Sequence, residues 1–163
     1  MTQTLDPVAR LTHIEAIKQL KARYFRLMDT KQWAEYRDVF TDDMVFQFET
    51  QDRSTATTGD DFVAFVSGRL GTAVTAHHGH MPEIEVTSER TATGVWAMYD
   101  WVDDPDNDRA FQGFGHYHEE YRLCADGKWR IAKLRLSRLR VEQVPPSAGP
   151  VQTKTPAGAH TAG

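Results

Sequence analysis

Three histidines lie within four positions of the segment TAHHGHMPEIEV, which spans residues 75–86: His77, His78 and His80. Imidazole is the side chain whose ordinary pKa lies nearest to neutral pH, so it is the usual group for moving protons in an enzyme and a common metal ligand. The spacing therefore leaves three interpretations open: a proton-transfer site, a metal site, or side chains that only face solvent.

The register of this segment decides which histidine faces an apolar core. In plain alternation His78 and His80 share a face with Ile84, while His77 lies on the opposite face. Pro82 cannot donate a hydrogen bond to a neighbouring strand and is typical of a β-bulge. A bulge there would shift the register and bring His77 to the face of Ile84.

A metal site is the alternative interpretation of these histidines. His78, His80 and Glu83 have the spacing of the first cupin motif, and His116 and His118 alternate on a later strand. The glycine and proline spacing of the second cupin motif is missing from GFGHYHEE, and the three leading helices do not fit a cupin. We therefore expect no metal and no cofactor, although His116 could still line a cavity.

Composition narrows the class of protein. The chain has 163 residues, of which 40% are hydrophobic and 26% charged, and its net charge is -4. These values predict one globular domain without a nucleic-acid footprint, and no apolar run approaches the ~20 residues of a membrane span. Cys124 is the only cysteine. The N-terminus shows no basic segment followed by an apolar stretch, so we expect a cytoplasmic protein that binds no membrane.

The elements that must position the histidines are readable from periodicity. Apolar residues at spacings of three and four predict a helix that ends near Asp29, a short second helix in TKQWAEYRDVF, and a third in GDDFVAFVSGRLG. DDMVFQFET reads as a strand, and from residue 75 four long strands follow, with Asp126-Gly127 as a hairpin turn. The order predicts an α+β domain over residues 1–144, with 145–163 as a disordered tail.

Four segments of the chain resemble one known family. IKQLKARYFRLMDTKQWAEYRDVFTDD, HHGHMPEIEV, ATGVWAMYDWV and HYHEEYRLCADGKWRI are similar to the SnoaL-like branch of the nuclear-transport-factor-two-like superfamily, over residues 11–141. The resemblance implies a cone-shaped α+β barrel: three N-terminal helices packed on a strongly curved, mostly antiparallel sheet that encloses one pocket. Members include scytalone and bile-acid dehydratases, cyclases, isomerases, epoxide hydrolases and binding domains, so the chemistry stays open.

The dehydratases of that family imply a catalytic set of Tyr24, Asp29, His77 and Asp100 in this chain. If Asp100 held one ring nitrogen of His77, the other nitrogen could act as a general base, and the Tyr24 hydroxyl could polarise a carbonyl or protonate a leaving oxygen. Asp29 could instead cap the second helix. The expected substrate-binding residues are His78, His80, Trp96, Met98, Phe114, His116 and a late-strand arginine, Arg138 or Arg140.

The resulting hypothesis is a cofactor-independent lyase or isomerase, dehydratase-like, acting on a hydrophobic hydroxylated carbonyl compound such as a steroid or polyketide. The alternatives are a non-catalytic small-molecule-binding or oligomer-partner domain of the same fold, and a polyketide or terpenoid cyclase. We also expect a homodimer or homotrimer, because Trp129, Ile131 and Leu139 would need cover on the outside of the sheet.

Overall fold

The first helix begins and ends where the sequence predicts. The computed structural model describes residues 5–48 and 56–148. Helix α1, Pro7–Asp29, begins after Asp6, whose carboxylate accepts from the Ala9 amide at 3.1 Å. An acidic N-cap followed by proline is a favourable helix start. The buried stripe of α1 consists of Ile17, Leu20, Lys21, Tyr24, Leu27 and Met28.

Two shorter helices complete the helical layer. Helix α2 spans Trp33–Arg37, and α3 spans Gly59–Leu70. The Thr58 hydroxyl accepts from the Asp61 amide at 3.0 Å and so caps α3. Helix α1 packs on the second and fifth strands and α3 on the first, so all three helices cover the same side of the sheet.

The sheet has five strands: β1 Phe40–Phe48, β2 Val74–Val86, β3 Thr91–Asp104, β4 Arg109–Leu123 and β5 Trp129–Gln143. Their order is β1-β5-β4-β3-β2, and β1 runs parallel to β5 while the other pairs are antiparallel. This confirms the predicted α+β class. Within residues 5–48 and 56–148 the sheet is not closed into a barrel, because β1 and β2 lie at its two edges.

The bulge predicted at Pro82 is present. The register between β2 and β3 shifts between His80 and Glu83, so that Met81 and Pro82 together face Trp96. Met81 has a φ of 43° and is 87% exposed. Since one extra residue reverses the alternation, residues before and after the bulge that share a face are separated by an odd number of positions.

The sheet has an inner face towards the helices and an outer face away from them, and the bulge brings His77 and Ile84 to the same inner face. His77 is 8% exposed on the inner face, and Ile84 also packs on the core there. Trp129 and Ile131 are core residues, at 5% and 0% exposure, so the expectation that they need cover outside the sheet was wrong; Leu139 is 75% exposed.

Two further expectations concern the C-terminal tail and membrane-spanning helices. Of the predicted tail, residues 149–163 lie outside the described residues, and 145–148 form no regular element. Among the helices in the described ranges, none combines the length and apolarity that a membrane crossing requires.

Candidate active site

A cavity of about 350 Å³ lies between the helices and the inner face of the sheet. Most of its wall is apolar, and aromatic rings from β1, α3 and β4 contribute to it, including Phe46, Phe62 and Phe111. Four polar residues of the wall belong to the set predicted from the sequence: Tyr24, His77, Asp100 and Arg138. An apolar cavity with a few convergent polar groups is the usual form of a small-molecule site.

Asp29 at the end of α1 holds the imidazole of His77. The Nδ1 of His77 lies 2.6 Å from Oδ1 of Asp29, and the backbone amide of His77 donates to Oδ2 at 2.9 Å. An ionised carboxylate can only accept, so Nδ1 carries the ring proton. The other ring nitrogen, Nε2, has no hydrogen-bond partner in the described part of the chain and can accept a proton when the ring is neutral.

A second layer of contacts holds Asp29 itself. The Thr75 hydroxyl donates to Oδ1 of Asp29 at 2.8 Å, and the Lys31 ammonium donates to that hydroxyl at 3.0 Å. Burial lowers the pKa of Lys31, while the nearby charges of Asp29 and Asp104 oppose this shift. The cation, hydroxyl and carboxylate thus form a chain that ends on the imidazole.

These contacts answer the question about Asp29. The capping role considered for it was wrong, because the residue before α2 is Gln32 and no side chain caps that helix. Both Asp29 oxygens instead accept from β2. Docking of the α1 terminus against β2 brings together residues 48 positions apart in the sequence.

Asp100 does not hold His77, contrary to the arrangement considered from the sequence. It is 4% exposed and forms a two-point pair with Arg138, with distances of 2.7 and 2.6 Å. This geometry fixes the plane of the guanidinium beside the cavity. A Cβ at Gly113 would collide with both partners, so the pair depends on glycine there. Arg140 is exposed and pairs with Glu142, which settles the choice between the two arginines in favour of Arg138.

The phenol of Tyr24 is the third polar group of the wall. The residue is 4% exposed, and burial raises the pKa of its hydroxyl. Its ring packs edge-on against Phe25 at 5.2 Å and lies 3.9 Å from the Lys21 ammonium. A phenol with a raised pKa stays protonated, so the Tyr24 hydroxyl, which also interacts with the hydroxyl of Tyr36, has a proton that it can donate in a hydrogen bond.

A buried charged network lies behind Tyr24, and sequence reasoning missed it. Glu119 accepts from the Lys21 ammonium at 2.5 Å and from the Tyr121 hydroxyl at 2.5 Å. The Tyr121 hydroxyl oxygen in turn accepts from the Trp96 indole at 2.8 Å. Burial lowers the pKa of Lys21 to about 8, and Glu119 opposes the shift. The available signals were a lysine in phase with the apolar stripe of α1 and a glutamate in phase with core tyrosines on β4.

The remaining predicted binding residues lie away from the cavity wall. Trp96 and Met98 are buried on the inner face but do not line the cavity. The other four lie on the outer face or at the edge of the sheet, because their positions alternate with inward residues; they are His78, His80, Phe114 and His116. Assigning these four to the cavity does not fit the register of β2 and β4.

The outer-face histidines contact mainly other rings. The rings of His78 and His80 stack at 5.7 Å, and Tyr99 stacks on His78 at 5.7 Å. Within the described ranges, no three histidine, cysteine, aspartate or glutamate side chains are grouped so that they could hold a metal ion. The cupin-like spacing of His78, His80 and Glu83 therefore does not correspond to a cluster in space.

Comparisons with known proteins agree with this architecture. A family model described as a SnoaL-like domain matches residues 9–135. Among solved structures, a hexachlorocyclohexane dehydrochlorinase (LinA) type 2 is 18% identical with a TM-score of 0.76, covering 90% of this chain and 99% of that chain. A candidate scytalone dehydratase from Novosphingobium aromaticivorans is 20% identical with a TM-score of 0.73, covering 89% and 97%.

A third similar structure carries no activity in its name. The Kfla4162 protein from Kribbella flavida is 24% identical with a TM-score of 0.73, covering 80% of this chain and 93% of that chain. At these identities the likeness concerns the fold, so any activity must be argued from the side chains of the cavity.

Proposed function

The chain belongs to the SnoaL-like domain family, and we propose on that basis that it is a cofactor-independent lyase or isomerase of the dehydratase type. The observation that carries the proposal is the His77 ring on an apolar cavity, with Nδ1 held by Asp29 and Nε2 free. Two similar proteins are named as a dehydrochlorinase and a candidate dehydratase, and both names describe removal of a proton together with a leaving group.

His77 is the general base of the proposed reaction. Its Nε2 takes a proton from a substrate carbon next to a carbonyl, and the electron pair of the broken C–H bond enters the conjugated system. Asp29 keeps the ring in the required tautomer and stabilises the imidazolium that forms. A positioned general base contributes roughly 10²- to 10⁴-fold to the rate.

Tyr24 and Arg138 stabilise the negative charge that develops on the carbonyl oxygen. The raised pKa of Tyr24 suits hydrogen-bond donation but makes complete loss of its proton costly. We therefore assign the return of the proton to the His77 imidazolium. In a lyase the proton goes to the departing hydroxyl, which leaves as water when the C–O bond breaks; in an isomerase it goes to another carbon. Asp100 is a positioning residue, because its two-point pair fixes Arg138.

The cavity indicates the class of substrate. A volume of about 350 Å³ with a largely apolar wall fits a hydrophobic ring system rather than a small polar metabolite. The proposed substrate is thus a hydroxylated carbonyl compound of steroid-like or polyketide-like character.

The proposal can be tested without knowing the natural substrate. Wild type, His77→Gln and His78→Gln are incubated with fused-ring β-hydroxy ketones in D₂O. The absorbance of a conjugated enone reports loss of water, and NMR reports exchange of the proton next to the carbonyl. His78 is the matched control, because it adjoins His77 in the chain but lies outside the cavity.

We expect wild type and His78→Gln to react or exchange at similar rates, and His77→Gln to be slower by at least about 100-fold. A His77→Gln variant as active as wild type would contradict the proposal. Ligand binding by wild type without any turnover or exchange would instead favour the non-catalytic binding domain.

A further inference from the structure

Two arginines line the cavity at a distance from His77. Arg69 comes from the last turn of α3, and Arg109 is the first residue of β4. The Arg109 Nη2 donates to the backbone oxygen of Arg69 at 2.7 Å and to the Asp104 carboxylate at 2.9 Å. Asp104 and Asp100 are four residues apart on β3, a separation of roughly 13 Å along a strand. Since Asp100 faces His77 across the strands, the arginines and the imidazole occupy different ends of the cavity.

Arg109 has one side-chain donor that makes no hydrogen bond in the described chain. The Nε of Arg109 is buried and has no hydrogen-bond partner in the described chain. Its carboxylate partner, Asp104, is already shared, because Thr72 donates to it at 3.1 Å and Asn107 at 3.0 Å. A buried polar group without a partner is uncommon and costs free energy, so this guanidinium is incompletely satisfied where Arg109 lies against the cavity.

Arg69 has no counterion in the described part of the chain. Arg69 is an exposed residue, and across residues 5–48 and 56–148 its guanidinium pairs with no carboxylate but lies over the Phe65 ring at 5.5 Å. The one carboxylate on the described cavity wall is Asp100, and Arg138 neutralises it. Among the arginines of the cavity wall, Arg138 and Arg109 are thus paired with carboxylates, and Arg69 is the one that is not paired in the described chain.

From this charge balance we infer that the ligand of the cavity carries a single carboxylate, which Arg69 and Arg109 bind while its ring system lies along the apolar wall towards His77. Guanidinium and carboxylate match in shape, so one carboxylate can accept from both arginines where they line the cavity. The substrate class of the proposed function becomes a hydrophobic hydroxy-keto acid. The inference rests on that function only for the reacting end of the ligand.

The test compares two probes of the same shape, 2-naphthoate and 2-naphthamide, by titration calorimetry of the full chain; the amide lacks the negative charge and has an NH₂ donor in place of one acceptor oxygen. Wild type should bind the acid at least about tenfold more tightly than the amide, because charge-assisted hydrogen bonds are the stronger ones. Arg69→Gln should bring the ratio close to one and leave the amide affinity unchanged. Arg23→Gln is the control, because it removes the same charge from the exposed side of α1.

A second variant guards against a folding defect. Arg109→Gln would leave the buried Asp104 carboxylate without its cation, whereas Arg109→Lys keeps the positive charge and replaces the planar guanidinium, with its forked N–H donors, by a single ammonium. We expect Arg109→Lys to reduce the preference for the acid several-fold. Absent naphthoate binding, equal binding of the two probes by wild type, or an unchanged preference in Arg69→Gln would overturn the inference.

The test of carboxylate binding and the test of the proposed reaction can fail independently of each other. His77→Gln should keep the full preference for naphthoate, because it removes no positive charge from the arginine end of the cavity. Failure of wild type to turn over β-hydroxy ketones would count against the proposed reaction and leave the charge preference intact. Loss of the charge preference would leave the role of His77 untouched.

Discussion

His77 and His78 are neighbours in the chain but lie on opposite faces of the sheet. His77 is 8% exposed, and its Nδ1 lies 2.6 Å from Asp29, whereas His78 is exposed and stacks on the rings of His80 and Tyr99. The residue type alone therefore does not make a base. A carboxylate that fixes the tautomer, together with an apolar wall beside the free nitrogen, distinguishes the inner imidazole from the outer one.

The bulge at residues 81 and 82 is the structural cause of this difference. It allows Ile84 and His77 to share the inner face although they are seven positions apart. Without it, the apolar residues at the end of β2 would select His78 and His80 for the interior.

Deleting Met81 should therefore have the largest effect. The deletion restores plain alternation. Either Ile84 then turns outward, or it stays inside and His78 and His80 replace His77 on the inner face. We expect loss of activity and destabilisation by several kcal/mol. Denaturant unfolding measures the stability. The control is Met81→Gly, which keeps the bulge and suits the φ of 43°, so it should stay within about 1 kcal/mol of wild type. Equal stability and activity of the deletion variant would refute the role of the bulge.

Asp29→Asn should have the next largest effect. The amide can no longer require the proton to sit on Nδ1 of His77, so the productive tautomer is depleted, and we expect kcat to fall about 100-fold or more. Steady-state kinetics on a turned-over β-hydroxy ketone measures this. Asp38→Asn, an exposed change after α2, is the control and should leave kcat unaltered. A normal kcat in Asp29→Asn would mean that the carboxylate does not select the tautomer.

Thr75→Val should have a smaller effect on the same imidazole. The change keeps the shape of the side chain but removes the donor to Asp29 and the acceptor for Lys31. We expect kcat to fall by about three- to tenfold with little change in KM, consistent with about 1 kcal/mol for one hydrogen bond. Thr75→Ser retains the hydroxyl and should restore most of the rate; if it behaves like Thr75→Val, packing rather than hydrogen bonding is responsible.

The pH profile should show the smallest effect. Burial raises the pKa of Tyr24 above its ordinary value of 10.0, so the phenol keeps its proton throughout the range in which free tyrosine begins to ionise. As pH rises to 10, the rate should therefore show no fall that disappears in Tyr24→Phe. A wild-type alkaline limb below pH 10 that this variant removes would contradict the assigned donor role.

The elements of this fold were predictable because their signals are local. The stripe of α1 ended at Asp29 as predicted, and Pro82 indicated the bulge that turns His77 inward. Contacts between the helical layer and the sheet were not predictable. The family resemblance suggested Asp100 as the partner of His77, and the two residues do pair across adjacent strands, yet Asp29 holds the ring.

The physical reason is that strand register follows from alternation, whereas the docking of a helix on a sheet depends on packing of the whole core. Lys21 and Glu119 are 98 positions apart and meet only when α1 lies over β4. For the same reason, the arginine end of the cavity gave no motif: Arg69 ends a helix and Arg109 begins a strand, and folding alone brings them together.

The position of the proton on the His77 ring can be measured by a ¹H–¹⁵N correlation spectrum of the histidine rings at neutral pH, with His77 assigned by comparison with His77→Gln. We predict that Nδ1 of His77 carries the proton and Nε2 does not, and that Asp29→Asn abolishes this bias. A spectrum in which Nε2 is the protonated nitrogen, or in which both tautomers are equally populated in wild type, would contradict the account.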